Sequence, residues 1–288
     1  MQVAILGASG FVGSFLAAYF QQKGLEIVPL GRKDLTNLDE LALKLDKVDT
    51  LINLAGAPIS KRWTEEYKKV LYSSRIESTK ILAQAILKTQ NRPCNYFSAS
   101  AVGIYAPLED RVQDEENFVY GENFLSKICQ DWEKEALQFT NFNLRVVIFR
   151  FGVVLGKGGA LAKLLPFFRW GIGGKIASGN QGFPWVHLED LARAFYWALN
   201  KKDARGIYNL CAPQLTTNKD FTRTLARVLK RPAFFPVPRF ILKLALGEGE
   251  MVLTQGAKVV PSRLQKEGFS FKYNKLEEAL KNIWEHWS

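Results

Sequence analysis

A chain of 288 residues, 47% hydrophobic and 23% charged, has the make-up of a globular protein able to bury a proper core, which excludes disordered, collagen-like and disulfide-scaffold classes. Lys and Arg number 39 against 28 Asp and Glu, a net charge of +11, but no run of five basic residues and no nucleic-acid recognition motif accompanies it, so the charge reads as a solvated surface. Three scattered cysteines (Cys94, Cys129, Cys211) and two distant histidines (His187, His286) build neither a disulfide framework nor a metal site and fit a reducing, cytoplasmic compartment.

In chain order, Val3-Ala4-Ile5-Leu6 is a short apolar run that opens into glycines, a strand buried on both faces rather than a signal peptide. Phe11, Val12, Phe15, Leu16, Tyr19 and Phe20 then recur at helical spacing until Gly24. A strand over 26–30, a short helix over 38–45 and a strand over 49–54 follow. One long helix is predicted from about Thr64, its N-cap, to Leu87. Pro93 precedes a strand over 95–98, a helix spans about 123–139, and 144–151 is a β-branched strand. Strands alternating with helices specify a doubly wound parallel sheet.

After Phe151 the rhythm changes. Glycines 152, 156, 158 and 159 precede a helix near 160–170, and an irregular glycine-rich stretch follows. A helix from about 189 to 200, a strand over 207–210, a helix over 217–229, an extended segment over 232–238 and a last helix over 275–287 complete the chain. The reading is an α/β, Rossmann-like fold: residues 1–155, completed by parts of 185–212, bind a dinucleotide, and 156–288 form mainly a smaller substrate lobe. The aromatic and proline-rich segment 234–240 is read as core of that lobe, with a pocket wall or a subunit contact as alternatives.

The motif that carries chemistry is Gly7-Ala8-Ser9-Gly10-Phe11-Val12-Gly13, of the form G-x-x-G-x-x-G between a strand and a helix. Gly7 permits the tight turn, Gly10 lets the backbone approach a pyrophosphate, and Gly13 lets the helix pack on the strand. The helix N-terminus offers free N–H groups to phosphates. The second strand ends Leu30-Gly31-Arg32-Lys33. The acid that usually holds the ribose 2′-OH of NAD is missing there, and Arg32 can pair with a 2′-phosphate, so NADP is favoured. The competing reading leaves Arg32 solvated and gives the ribose to Asp34. Leu54-Ala55-Gly56, small residues at the end of the third strand, leave room for adenine and ribose.

Together these features resemble the extended short-chain dehydrogenase/reductase superfamily. The glycine motif, Asn53-Leu54-Ala55-Gly56 and the serine-bearing strand end Ser98-Ala99-Ser100-Ala101-Val102-Gly103-Ile104-Tyr105 carry that resemblance. Further segments narrow it to the SDR39U1-type epimerase-family proteins, often called NAD-dependent epimerase/dehydratases or sugar-nucleotide epimerases. These are Arg62-Trp63-Thr64, Ser74-Arg75-Ile76, Trp132-Glu133, Arg150-Phe151-Gly152, Trp185-Val186-His187 and Pro236-Val237-Pro238.

The resemblance implies a Ser that orients a substrate oxygen, a Tyr acid/base and a Lys four residues later that lowers the Tyr pKa. Ser100 matches the Ser. Phe124 and Ile128 stand where the Tyr and Lys belong, so the usual pair is missing. Two substitutes are open: Tyr105 as acid/base, and Lys127 as the ribose contact. On the substrate side the candidates are Arg150, Trp185 and His187, with Arg62, Trp63 and Arg75 flanking. His187 is read as a donor to an anionic or carbonyl group or as a loop anchor, Arg62-Trp63 as a phosphate or ring clamp or an exposed pair. The expectation is an NADP-binding oxidoreductase or epimerase acting on a small or nucleotide-linked hydroxyl or carbonyl compound. The alternative is a catalytically impaired NADP-binding regulatory or scaffold protein. Expected partners are a small-molecule substrate and, as a candidate assembly, a homodimer, with no nucleic acid and no membrane.

Overall fold

The four residues Val3–Leu6 are all buried because both faces of the strand they form are covered. Val3 and Ile5 face one apolar layer with Leu16, Phe20, Leu191 and Phe195. Ala4 and Leu6 face the other with Leu41, Leu45, Leu82, Ile86 and Ala136. This period-two alternation between two helical layers is what a continuous apolar strand in a doubly wound sheet requires.

The computed structural model describes residues 1–287. Its elements run β1 (Gln2–Leu6), α1 (Phe11–Gln22), β2 (Glu26–Leu30), α2 (Leu38–Leu45), β3 (Thr50–Asn53), α3 (Glu65–Ser73), α4 (Ile76–Lys88) and β4 (Asn95–Ala101). Next come β5 (Val112–Gln113), α5 (Phe124–Leu137), β6 (Arg145–Phe151), β7 (Val153–Leu155), α6 (Gly159–Arg169), β8 (Trp185–His187), α7 (Leu188–Asn200) and β9 (Gly206–Leu210). The chain closes with α8 (Asn218–Leu229), α9 (Arg239–Leu246), α10 (Met251–Thr254), β10 (Lys258–Val259), α11 (Ser262–Lys266) and α12 (Leu276–Glu285).

Six parallel strands form the central sheet in the order β2-β1-β3-β4-β6-β9. The order reverses beside β1, so the crevice at the strand ends opens where a ligand of such a sheet binds. A third apolar cluster, from α6, α8 and α12, is the core of the C-terminal region. The short pair β7·β8 lies beside it, with Leu155 in register with His187.

Two expectations are corrected. The long helix over 64–87 is two helices, broken at Ser74-Arg75. Ser74 Oγ accepts the Ala57 N–H at 2.9 Å, and Arg75 donates to the Leu71 and Ala57 carbonyls at 3.0 and 3.1 Å, so the break is fastened to the loop after β3. The segment around 234–240 is not core: Phe234, Phe235 and Phe240 are 83%, 64% and 71% exposed, and Arg239 begins an unexpected helix, α9. Among the described residues no helix is long and apolar enough to cross a membrane, and no cluster of His, Cys, Asp and Glu is placed to hold a metal ion.

Candidate coenzyme and substrate site

The glycines of the first crossover are fixed by contacts no other residue allows. Gly7 adopts φ +88° while its N–H donates to the Leu30 carbonyl at 3.0 Å, tying the turn to β2. A Cβ on Gly13 would lie 2.1 Å from the Gly7 carbonyl oxygen. Helix α1 therefore starts directly against the end of β1. Its N-cap, Gly10, supplies no side-chain cap, and no acid stands in the first turn. The N–H groups of Phe11 and Val12, with Ser9 and Gly10 exposed beside them, have only solvent or a ligand to meet.

Beyond Gly10, the Phe11 ring packs on the glycine loop that starts α6. A Cβ on Gly158 or Gly159 would meet that ring at 2.7 or 2.8 Å, which explains the glycines there.

Arg32 is exposed at the end of β2, the strand paired with β1. Asp34 is engaged by its own turn and by α2. Its carboxylate accepts the Gly31 N–H at 2.7 Å and holds Lys44, and Lys44 and that N–H keep its pKa below the usual carboxylate range. The strand end at β3 is held by Asn53, whose Oδ1 accepts the Ala55 N–H at 3.0 Å while its Nδ2 donates to Thr79 and Tyr96. Leu54 and Ala55 are half-buried there and Gly56 is exposed. The Arg75 guanidinium lies over Gly56, where a Cβ would meet it at 2.9 Å. It hydrogen-bonds only carbonyls and a hydroxyl, pairs with no carboxylate among the described residues, and has its pKa pulled down by burial.

Ser100, at the end of β4, donates to Glu133 Oε1 at 2.6 Å. Glu133 projects from α5 and forms a two-pronged ion pair with Arg150 of β6, with Nε–Oε1 2.8 Å and Nη2–Oε2 2.7 Å. Arg150 Nη1 donates to the Tyr105 hydroxyl at 2.8 Å, and that hydroxyl donates to Asn209 Oδ1 of β9 at 2.6 Å. Burial alone would lower the Arg150 pKa, but Glu133 carries it above its ordinary value. Burial pushes the Tyr105 phenol up, and Arg150 opposes this only in part. The acid/base expectation for Tyr105 needs the opposite shift and an accessible hydroxyl. The residue is 2% exposed and its hydroxyl is engaged on both sides.

Sequence reasoning picked out Ser100 and Tyr105 as catalytic and Arg150 separately as a substrate contact; the structure joins all three through Glu133, noted in the sequence only within a family segment, and Asn209, which was missed. The missed signal was Arg150 itself. A cation inside an otherwise apolar strand requires a buried partner, and a carboxylate on the inward face of α5 supplies it.

The other expected residues lie apart from this network. Phe124 and the buried Ile128 belong to an apolar cluster with Ala57, Trp63 and Trp132, and Trp63 packs edge-on against Phe124 at 5.7 Å. Lys127 is exposed on α5. Trp63 donates its indole N–H to Ile59, and its backbone N–H donates to the Leu246 carbonyl, while exposed Arg62 donates to that of Leu244. The pair staples the loop after β3 to α9 and holds no free cation-and-ring clamp. Trp185 is fully buried and bonds Thr216 at 3.1 Å. His187 is the N-cap of α7, its Nδ1 accepting the Glu189 N–H at 3.1 Å, and its ring lies 3.9 Å from that of Tyr273. Burial lowers its pKa to about 4, and its Nε2 has no protein partner among the described residues. With Phe11, Lys157 and Asn282 it lines a cleft of ≈ 490 Å³ between α1, the start of α7 and α12.

An open, doubly wound parallel sheet with an uncapped glycine crossover defines a Rossmann-like α/β protein. Residues 3–211 match the family model described as the NAD dependent epimerase/dehydratase family, and 237–283 match a domain of unknown function, DUF1731. The chain belongs to the NAD dependent epimerase/dehydratase family. It is 38% identical to the chloroplastic SDR39U1 homolog of Arabidopsis thaliana, covering 98% of this chain and 86% of that one. It is 36% identical to epimerase family protein SDR39U1 of Mus musculus, covering 98% and 99%. The crystal structure of human SDR39U1 (isoform2) with NADPH superimposes with a TM-score of 0.91 at 34% identity, covering 99% and 100% of the two chains. The Thermus thermophilus UDP-glucose 4-epimerase, solved with NAD, shares the fold with a TM-score of 0.80 at 18% identity.

Proposed function

We propose that the chain binds NADPH across the first crossover and orients a small or nucleotide-linked hydroxyl or carbonyl compound against it, as an oxidoreductase or epimerase. One observation carries the coenzyme assignment: Arg32 is free at the end of β2 while Asp34 is locked onto Gly31 and Lys44. A free guanidinium suits a 2′-phosphate, and a carboxylate committed to Gly31 and Lys44 is less available to a ribose hydroxyl. The NADPH in the human relative supports the same reading.

The amides of Ser9, Phe11 and Val12 at the uncapped start of α1 would hold the diphosphate, the Gly10 N–H being spent on the Gly7 carbonyl, and Leu54, Ala55 and Gly56 the adenosine side. Bound NADPH supplies a hydride. Ser100 spends its only proton on Glu133, which leaves its oxygen lone pairs for a substrate hydroxyl. Glu133 is clamped by Arg150, and Arg150 is braced by Tyr105. Tyr105 acts here as a positioning residue, through Arg150.

A second reading, an NADPH-binding regulatory protein without turnover, is favoured by one observation: the Tyr and Lys positions are filled by Phe124 and Ile128 inside an apolar cluster. Titration with NADPH and NADH, followed by an assay against a carbonyl and alcohol panel, separates the two. Turnover that Ser100→Ala removes upholds the enzyme. Saturable NADPH binding without turnover upholds the regulator. No saturable binding of either coenzyme overturns both.

A further inference from the structure

Segments 156–188 and 221–247 carry ten Lys and Arg residues and no Asp or Glu, in a chain with 28 carboxylates in 288 residues. The two segments meet in space. Val237 N donates to the Lys175 carbonyl at 2.9 Å, Ala177 N donates to the Val237 carbonyl at 3.1 Å, and a Cβ on Gly171 would touch Pro232. Where they meet, large apolar side chains stand in solvent. Trp170 is 82% exposed, Phe234 83%, Phe235 64%, Phe240 71% and Leu244 74%. Helix α9 contributes no buried residue to its own protein, although Phe240, Ile241 and Leu244 share one side of it. An exposed apolar area of several hundred Å² is roughly what marks an interaction site on a soluble protein.

We propose that this face docks on an anionic lipid surface, with the aromatic and aliphatic side chains entering the headgroup boundary and the surrounding cations meeting lipid phosphates. The reading is independent of the coenzyme. A second copy is a poor occupant: Arg239 and Arg227 are paired with Glu250 and Glu277, but the other cations stay in excess, so a symmetric contact would press two basic surfaces together. Nucleic acid would match the charge but gives Ile241 and Leu244 nothing to stack on. A lipid interface takes both halves of the patch: Trp and Phe at headgroup depth, aliphatic groups just below, Lys and Arg on phosphates. Flat, short α9 also suits a surface that offers no groove. The expectation of no membrane partner rested on the lack of a long apolar run. A patch assembled from two separate segments produces no such run.

The test is vesicle co-sedimentation of the full chain with phosphatidylcholine alone and with phosphatidylcholine containing phosphatidylglycerol, at low and high salt. The expected result is binding to the anionic vesicles only, weakened by salt as charge screening requires. Phe234→Ser with Phe235→Ser, and separately Lys230→Glu with Arg231→Glu, should each reduce binding about tenfold or more. All four residues are exposed, so both variants should keep the parent's circular dichroism and thermal midpoint. Brominated lipid should quench fluorescence in the parent and much less in Trp170→Phe. No sedimentation with anionic vesicles at low salt overturns the proposal, as does equal binding to neutral vesicles. Unaltered binding by both folded variants also overturns it, and so does self-association without vesicle binding that the same substitutions abolish.

Discussion

Ser100 Oγ and Glu133 Oε1 lie 2.6 Å apart, and the same carboxylate oxygen receives Arg150 Nε at 2.8 Å. The serine at the end of β4, itself 2% exposed, is therefore oriented by an ion pair that the solvent barely reaches, with Arg150 1% and Glu133 6% exposed. Removing either charge strands the other in a dry interior. Glu133→Ala or Arg150→Ala should cost about 3–5 kcal/mol in urea unfolding. Ser100→Ala should cost far less, because the carboxylate keeps both arginine contacts.

Tyr105→Phe removes one hydroxyl from between Arg150 and Asn209. Leaving those two buried groups short of a partner should cost about 1–3 kcal/mol, with the NADPH dissociation constant unchanged. A variant as stable as the parent that loses all turnover would instead identify the phenol as a proton carrier.

Arg32→Asp places a carboxylate where the 2′-phosphate would sit. NADPH affinity should fall about tenfold or more while NADH affinity holds or rises, as read by fluorescence titration. Equal losses for both coenzymes would remove Arg32 from the phosphate site.

Gly13→Ala should abolish coenzyme binding and destabilise the chain, since its methyl group would sit 2.1 Å from the Gly7 oxygen, well inside contact distance. Gly24→Ala is the contrasting control. Unlike helical Gly13 it has positive φ, at 78°, but nothing lies near its Cβ. It should show only modest backbone strain and bind NADPH normally.

His187 sets a pH dependence. Burial lowers its pKa from 6.5 to about 4. Between those values the unfolded chain takes up a proton that the folded chain refuses, so acid favours unfolding and stability rises with pH across that window. Full stability is present above about 6.5 and is lost progressively towards 4. The contribution is about 2–3 kcal/mol. His187→Asn keeps an acceptor for the Glu189 N–H and should flatten this part of the profile, measured as the difference from the parent in urea melts between pH 7 and 4.

Much of the sheet was legible in the sequence because its signals are local. Val3–Leu6 and Arg145–Phe151 are continuous apolar or β-branched runs, and the first crossover announces itself by glycine spacing. The break at Ser74-Arg75 was not legible, since helical periodicity runs on through it and the cause is a loop 17 or 18 residues away. The network from Ser100 to Asn209 joins five elements or loops across the chain, and no local pattern encodes such a pairing. Trp185 looks like a ligand residue by type, but its neighbour Thr216 comes from a distant segment and makes it an anchor, while His187 both caps α7 and lines a cleft that only the folded chain forms. Segment 234–240 misled in the other direction: aromatic residues suggest burial, and only the folded chain shows that nothing covers them.

The last strand of the central sheet, β9, arrives only after the chain has passed through β7, α6, β8 and α7, and it brings Asn209 to Tyr105. An N-terminal fragment ending near residue 155 would thus present a raw β6 edge and a tyrosine hydroxyl without its acceptor. Such a fragment would not be an autonomous module. Transplanting the glycine crossover alone into another protein would carry over a phosphate cradle but not the apparatus that aims Ser100.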